Sequence, residues 1–431
     1  MNHYRSVGRV AAAASILLMS TALAGAVDVS FLTHWSPETV AKLEAAATAY
    51  KESHPDTNVT VRAVPFGDLL TTLRTSGGGA SGATIASIYD AWLPDLSKDG
   101  LVAPVPEPLA PDVKANWPAG IVAAASIGGT LYGVPNEIDV YALNYNKRLF
   151  EEAGIAEAPK TWDEFLAAAE ALTDKDKGQQ GFGMINSWAA GVLHPFASLL
   201  VSNGGELVVD GKPVLDSQNA TGTFELYETL ITSGYSDPAM ATADANTTGP
   251  FLDTFVSGKT GMIIMANWWE SALKAGMGES FADVATAPIP VGSGGDVPRS
   301  ISYSWMTVVN AKASGEEQAA AWDFLGWLNG PESGPDGASA MAEILMSMGI
   351  LPSRTSDVAA FQPTLDSDPF LQGYVETLAN AKGFPVVLGG QEFSEALQQQ
   401  LEALQFGQVT AAEAQANAQA DAEEILARNA Q

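Results

Sequence analysis

The feature that most restricts the fold lies between Val27 and Phe66. There VDVSFLTHW is rich in strand formers, SPETVAKLEAAATAYKESH carries helical periodicity and NVTVRAVPF alternates as a second strand. Strand, helix and strand at that spacing make a βαβ unit. The unit predicts an α/β fold with a largely parallel sheet, because a crossover helix returns the second strand in the direction of the first. Ser36 is placed to cap the helix, with Pro37 at its first position and Glu38 next. A third apolar stretch, ATIASIYDAWL, ends at Asp90 and Trp92, and strand carboxyl ends are where open α/β sheets hold ligands.

Ahead of this unit, MNHYRSVGRVAAAASILLMSTALAGA sets Arg5 and Arg9 before an apolar run from Val10 to Leu23, with small residues at Ala24 and Ala26. That is the three-part pattern of a secretory signal peptide over residues 1–26, with cleavage after Ala24 as the close alternative. The run falls short of the ~20 residues a bilayer span needs. The junction has no Cys to lipidate, so a freely diffusing periplasmic protein is expected. Taking 26 residues from 431 leaves 405, more than one core organises, and two lobes follow. The chain has no Cys, which excludes thiol catalysis and Cys-ligated metal. The leader removes two Arg and no acid, moving the formal charge from −29 to −31. Nucleic acid and anionic membrane are poor partners for such a surface.

Two segments read as crossings between lobes. In GGTLYGVPNEIDVYALNYNKRLFEEAGI a hairpin precedes an extended stretch in which Pro135 keeps Val134 out of the helical region. In APIPVGSGGDVPRS the density of Pro and Gly marks a second crossing near Pro288–Val291. SISYSWMTVVN then reads as one strand and EEQAAAWDFLGWLN as a helix burying Trp322 and Trp327. Thr161 and Glu164 form a capping box, and the tail from Glu392 reads as docked helices. The lobes are expected at 27–137 with 290–345, and at 138–289 with 346–431.

Catalytic and metal signals fail on spacing. Ser257-Gly258-Lys259-Thr260 has Asp253 where a phosphate loop needs Gly, and Gly77-Gly78-Gly79 lacks the dinucleotide spacing. Asp174, Asp176 and Gly178 lack the bidentate Glu of a Ca²⁺ loop. None of His3, His34, His54 and His194 has a second ligand at zinc spacing, so neither metal nor cofactor is expected. What remains is a set of aromatics in loops and at strand ends: Trp35, Trp92, Trp188, Trp268, Trp269, Tyr303 and Trp305. Pyranose C–H faces pack on indoles while hydroxyls reach carboxylates and amides, the alternative for each Trp being plain core packing. His34, just after the first strand, offers one donor and one acceptor to such hydroxyls.

The block GGTLYGVPNEIDVYALNYNKRLFEEAGIAEAPKTWDEFLAAAEAL resembles a landmark of the extracellular solute-binding proteins of carbohydrate ABC importers, a group that includes maltose-, trehalose- and glycerol-phosphate-binding proteins. FVSGKTGMIIMANWW is similar to a further landmark, with Gly261 where Ala is usual, and APIP, AAWDFLGWLNGPE and GILPSR follow in order. The resemblance implies a periplasmic-binding-protein-like fold of two α/β lobes joined by hinge strands. It implies a monomer without enzymatic activity that closes on a small carbohydrate and is recognised by a membrane permease. It implies ligand contacts at His34, Trp35 and Ser36, at Asp90, at Glu137 and Asp139, at Asn186 and Trp188, and at Trp268. Ser302-Tyr303 replaces a Gly-Gly pair of the family, so Tyr303 is expected to contribute its side chain, and Trp305 stands beside it. Arg354 occupies a position that reaches ligand in some members and braces the hinge in others. Two other readings stay open: an anionic sugar derivative such as a sulfonate or glycerol phosphate, clamped by Arg354 with help from Arg299, and a secreted glycoside hydrolase, for which no carboxylate pair stands out.

Overall fold

The computed structural model describes residues 26–76, 82–186, 188–241 and 253–430. The signal peptide, apart from Ala26, and Gly77-Gly78-Gly79 lie outside the described residues. β1 (Val27–Thr33), α1 (Pro37–Ser53) and β2 (Thr57–Ala63) form the βαβ unit, with the strands parallel from Val27↔Thr57 to Thr33↔Ala63. Then come α2 (Phe66–Ser76), β3 (Ile85–Tyr89), β4 (Gly133–Pro135) and the long β5 (Glu137–Asn146). The middle of the chain supplies α3 (Trp162–Leu172), β6 (Gln180–Gly183), α4 (Ala189–Ser202), α5 (Gln218–Thr232), β7 (Thr260–Ala266) and β8 (Val284–Ala287). Its last part supplies β9 (Ile301–Tyr303), β10 (Trp305–Val309), α6 (Gly315–Leu328), β11 (Leu351–Pro352), α7 (Thr355–Ser367) and β12 (Lys382–Gly383). Two docked helices, α8 (Gly390–Gln405) and α9 (Ala411–Asn429), close the chain.

Two sheets organise the molecule, one per lobe. The first runs β2-β1-β3-β10-β4, and the second runs β12-β9-β5-β7-β6 with β8 and β11 also paired to β5. Neither is largely parallel. β10 is antiparallel to both β3 and β4, and β5 is antiparallel to β7, β8, β9 and β11. The reason is the route of the chain: β10 enters the first sheet directly from the second lobe and not through a crossover helix, so the rule that makes βαβ strands parallel does not apply to it.

The passage between sheets also differs from expectation. SISYSWMTVVN is not one strand: β9 belongs to the second sheet and β10 to the first, with Ser304 alone between them. The second crossing is therefore at Ser304 and not at Pro288–Val291, and residues 290–303 go with the second lobe. The first crossing runs through Asn136, between β4 and β5. A third runs beside it, where Leu351 and Pro352 pair with Ile138 and Glu137. The three are laced together. Asn136 N–H donates to the Trp305 carbonyl at 3.0 Å, Ser353 N–H to the Asn136 carbonyl at 3.3 Å, and the Ser304 hydroxyl to the Glu137 carbonyl at 2.8 Å.

Local sequence rules explain most helix starts. Ser36 Oγ accepts from Thr39 N–H at the start of α1, and Thr161 with Glu164 forms the anticipated capping box on α3. Trp322 of α6 is buried and Trp327 half-buried against Tyr50. α3 lies so close to β6 that a Cβ on Gly181 would stand 1.9 Å from the Ala169 carbonyl oxygen. On the neighbouring β7, a Cβ on Gly261 would meet Leu172 at 2.8 Å, which explains why Ala is not found there.

Candidate functional site

The site is assembled where the crossings meet. Asp90 follows β3, and its Oδ2 accepts the Ser304 N–H at 2.8 Å while its own N–H donates to the Ser304 carbonyl at 3.0 Å. Glu137 and Asp139 alternate on β5, so both side chains point to the same face of the second sheet. Tyr303 of β9 stands opposite Asp139, and Trp305 of β10 opposite Tyr89 of β3. One short segment, Tyr303-Ser304-Trp305, thus lays an aromatic from each lobe beside the acids.

All three acids are buried, and Asp139 is wholly so. Four of their oxygens accept no well-aligned hydrogen bond: Asp90 Oδ1, Glu137 Oε2 and both oxygens of Asp139. The Glu137 and Asp139 carboxyls are nonetheless close enough to share a proton, and the Asn267 side chain stands beside Asp139. Among the described residues, no ion pair includes any of them. Burial pushes Asp90 up to about 7, partly opposed by the Ser304 N–H. Burial likewise drives Asp139 up to about 8, and drives Glu137 well above the usual carboxylate range with the Asp139 charge adding to the rise.

The walls are aromatic. On the first lobe the His34 ring lies 4.4 Å from Trp305 and 5.4 Å from Phe66, and Trp92 lies 5.5 Å from Trp305. On the second, His194 of α4 lies 5.0 Å from both Tyr303 and Phe384, and Trp188 lies 5.9 Å from Trp268, whose Nε1 donates to Tyr303 Oη at 2.6 Å. The walls touch: Tyr89 is 5.3 Å from Tyr303, and its hydroxyl is 3.2 Å from His194 Nε2. His194 Nδ1 is in turn 3.0 Å from Tyr141 Oη. Burial lowers His34 to about 4 and His194 to about 3, so both rings are neutral at pH 7. Trp92 Nε1 adds a tie to Gln391 of α8 at 2.7 Å.

Of the residues singled out in the sequence, the structure gathers His34, Asp90, Glu137, Asp139, Trp188, Trp268, Tyr303 and Trp305. Four go elsewhere. Trp35 is buried in the main core, and the Ser36 hydroxyl is spent capping α1. Asn186 donates to the Pro238 carbonyl at 3.3 Å. Arg354 braces the hinge: its Nη1 donates to Ser356 at 2.7 Å and its guanidinium lies 5.4 Å over Trp117, whose indole bonds the Pro135 carbonyl. Phe66, Tyr89, Tyr141 and Phe384 were not singled out as contacts, because in the sequence they read as ordinary packing residues, whereas His194, open in the sequence between core and cleft, joins the second wall. Only the neighbourhood of Asp90 and Trp92 hinted at Tyr89.

Residues 35–335 match the family model described as bacterial extracellular solute-binding protein. The chain belongs to that family. A binding protein of Brucella abortus is 24% identical over 402 residues, 93% of each chain. The maltotriose-binding protein of Pyrococcus abyssi is 23% identical over 357 residues, 81% of this chain and 71% of that one. Among solved structures, the GacH receptor of Streptomyces glaucescens, determined without ligand and with acarbose, superposes with a TM-score of 0.78 at 24% identity, covering 93% of this chain and 98% of that one. This solute-binding protein therefore has the two-lobed architecture of a periplasmic binding protein, and its family is one of carriers rather than enzymes. Among its described residues no helix is long and apolar enough to cross a membrane.

Proposed function

We propose that this protein is the carbohydrate-capturing subunit of an ABC importer, working outside the cytoplasmic membrane and handing its sugar to a permease. The observation that carries the reading is the set of four carboxylate oxygens without well-aligned donors, enclosed by aromatic faces from both lobes. Sugar hydroxyls donate to such oxygens, and pyranose C–H faces pack on such rings. Family membership supports the carrier role, and the sugar ligands printed for relatives such as the maltotriose-binding protein support the ligand class. The leader at residues 1–26 fits export, and a monomer that closes by hinge motion fits three laced crossings. An anionic sugar derivative is not favoured. Arg354 is engaged at the hinge, Arg299 pairs with Asp296, and the groups that face the cleft are acids.

A thermal-shift screen of the mature chain against neutral, anionic and amino mono- and disaccharides tests the reading. A cognate sugar at about 100 times its dissociation constant stabilises by about 2.7 kcal/mol. Stabilisation only by sulfonated or phosphorylated sugars, or release of free sugar from glycosides, would replace the reading with one of its competitors.

A further inference from the structure

The charge balance of the cleft narrows the ligand further, on the premise that the site is a sugar site. Asp90, Glu137 and Asp139 come from both lobes and are 2%, 3% and 0% exposed. Their four oxygens are acceptors when ionised, and among the described residues no ion pair meets them. The groups facing them are Tyr89, Tyr141 and Tyr303, which burial keeps protonated, and the Asn267 side chain beside Asp139. Arg354 is turned to Ser356 and Trp117.

A wholly neutral sugar leaves these acids as burial sets them, holding their protons near neutral pH, so its hydroxyls meet neutral carboxyls and gain no charge-assisted bond. Ionising any of them with only hydroxyls for partners would leave a negative group uncompensated where water is excluded. A protonated amine brings three donors and the compensating charge in one group, and the ring faces of Tyr89, Tyr303 and Trp305 favour a cation as well. We propose that the captured carbohydrate carries a free, protonated amine, as an amino sugar or an oligosaccharide containing one, seated against Asp139, Glu137 and Asp90.

Titration calorimetry of the mature chain at pH 6.5, where the free amines of the probes are protonated and the buried acids hold their protons, tests this with matched probes: glucosamine and galactosamine and their β-1,4 dimers, their N-acetylated forms, and the parent glucose and galactose compounds. Each titration is repeated in two buffers of different ionisation enthalpy. The free-amine member should bind at least about tenfold more tightly than both neutral counterparts, in line with charge-assisted bonding. Its binding should release protons, because the ammonium displaces those the buried acids hold. Asp139→Asn should bring the preference close to unity and abolish most of the proton release, and Glu137→Gln serves the same purpose if the first variant does not fold. Equal affinity for neutral and amine forms overturns the proposal and leaves the sugar-carrier reading intact. Binding of none of the probes in any of the three forms also overturns the proposal, and the carrier reading then stands or falls by the wider saccharide screen above.

Discussion

At the residue scale the site pays in stability for what it offers to ligand. Asp139 has a folded pKa above its unfolded value, so the folded protein holds its proton more tightly, and stability is lost as pH rises from about 4 towards about 8. Asp139→Asn should therefore raise the melting temperature most at pH 8, less at pH 5 and little below pH 4, while weakening binding of the cognate sugar by about 1.5–3 kcal/mol. Asp90 behaves differently because Oδ2 holds the Ser304 N–H. At pH 5, Asp90→Ala strands that buried donor and should cost about 1–3 kcal/mol in denaturant unfolding. Trp268→Ala should weaken binding by at least about 1–2 kcal/mol in calorimetry; unchanged affinity with a lower melting point would return Trp268 to the core. The sequence exposed these acids because they interrupt apolar strands. It hid Tyr141, whose neighbours make it look like packing, left His194 open between core and cleft, and could not distinguish Ser36 as a cap from Ser36 as a ligand contact, since the same hydroxyl serves both.

At the scale of elements, close approach of backbone is the controlling feature. Gly181→Ala places its Cβ into the Ala169 carbonyl and forces α3 off β6. The expected loss is about 3 kcal/mol or more, at the upper end of overpacking costs, read as a lower urea midpoint at an unchanged slope. Helix starts such as Thr161 with Glu164 were legible because capping is decided within four residues. The division of SISYSWMTVVN was not. No Gly or Pro marks Ser304, and only the distant Asp90, docking on both its N–H and its carbonyl, turns one apparent strand into two.

At the scale of the molecule, the two lobes and three crossings imply hinge closure, and small-angle scattering should show a smaller radius of gyration with saturating sugar than without. In the absence of sugar the radius should grow between pH 5 and pH 8, because ionising Asp90 and Asp139 within contacting walls favours their return to water. An invariant radius across both comparisons would rule out the hinge reading. The two-lobe outline was legible from length and from the first βαβ unit, whereas the contact of Tyr89 with Tyr303 and His194 arises only once both sheets are in place. Ser304 joins those sheets while being gripped by an acid that also faces the cleft. Descendants of this protein can exchange Phe66 or Trp188 to suit another sugar without disturbing the joint. Ser304 and Asp90 have no such liberty: a change in either alters what is recognised and how the lobes swing at once, so the two should drift together or not at all.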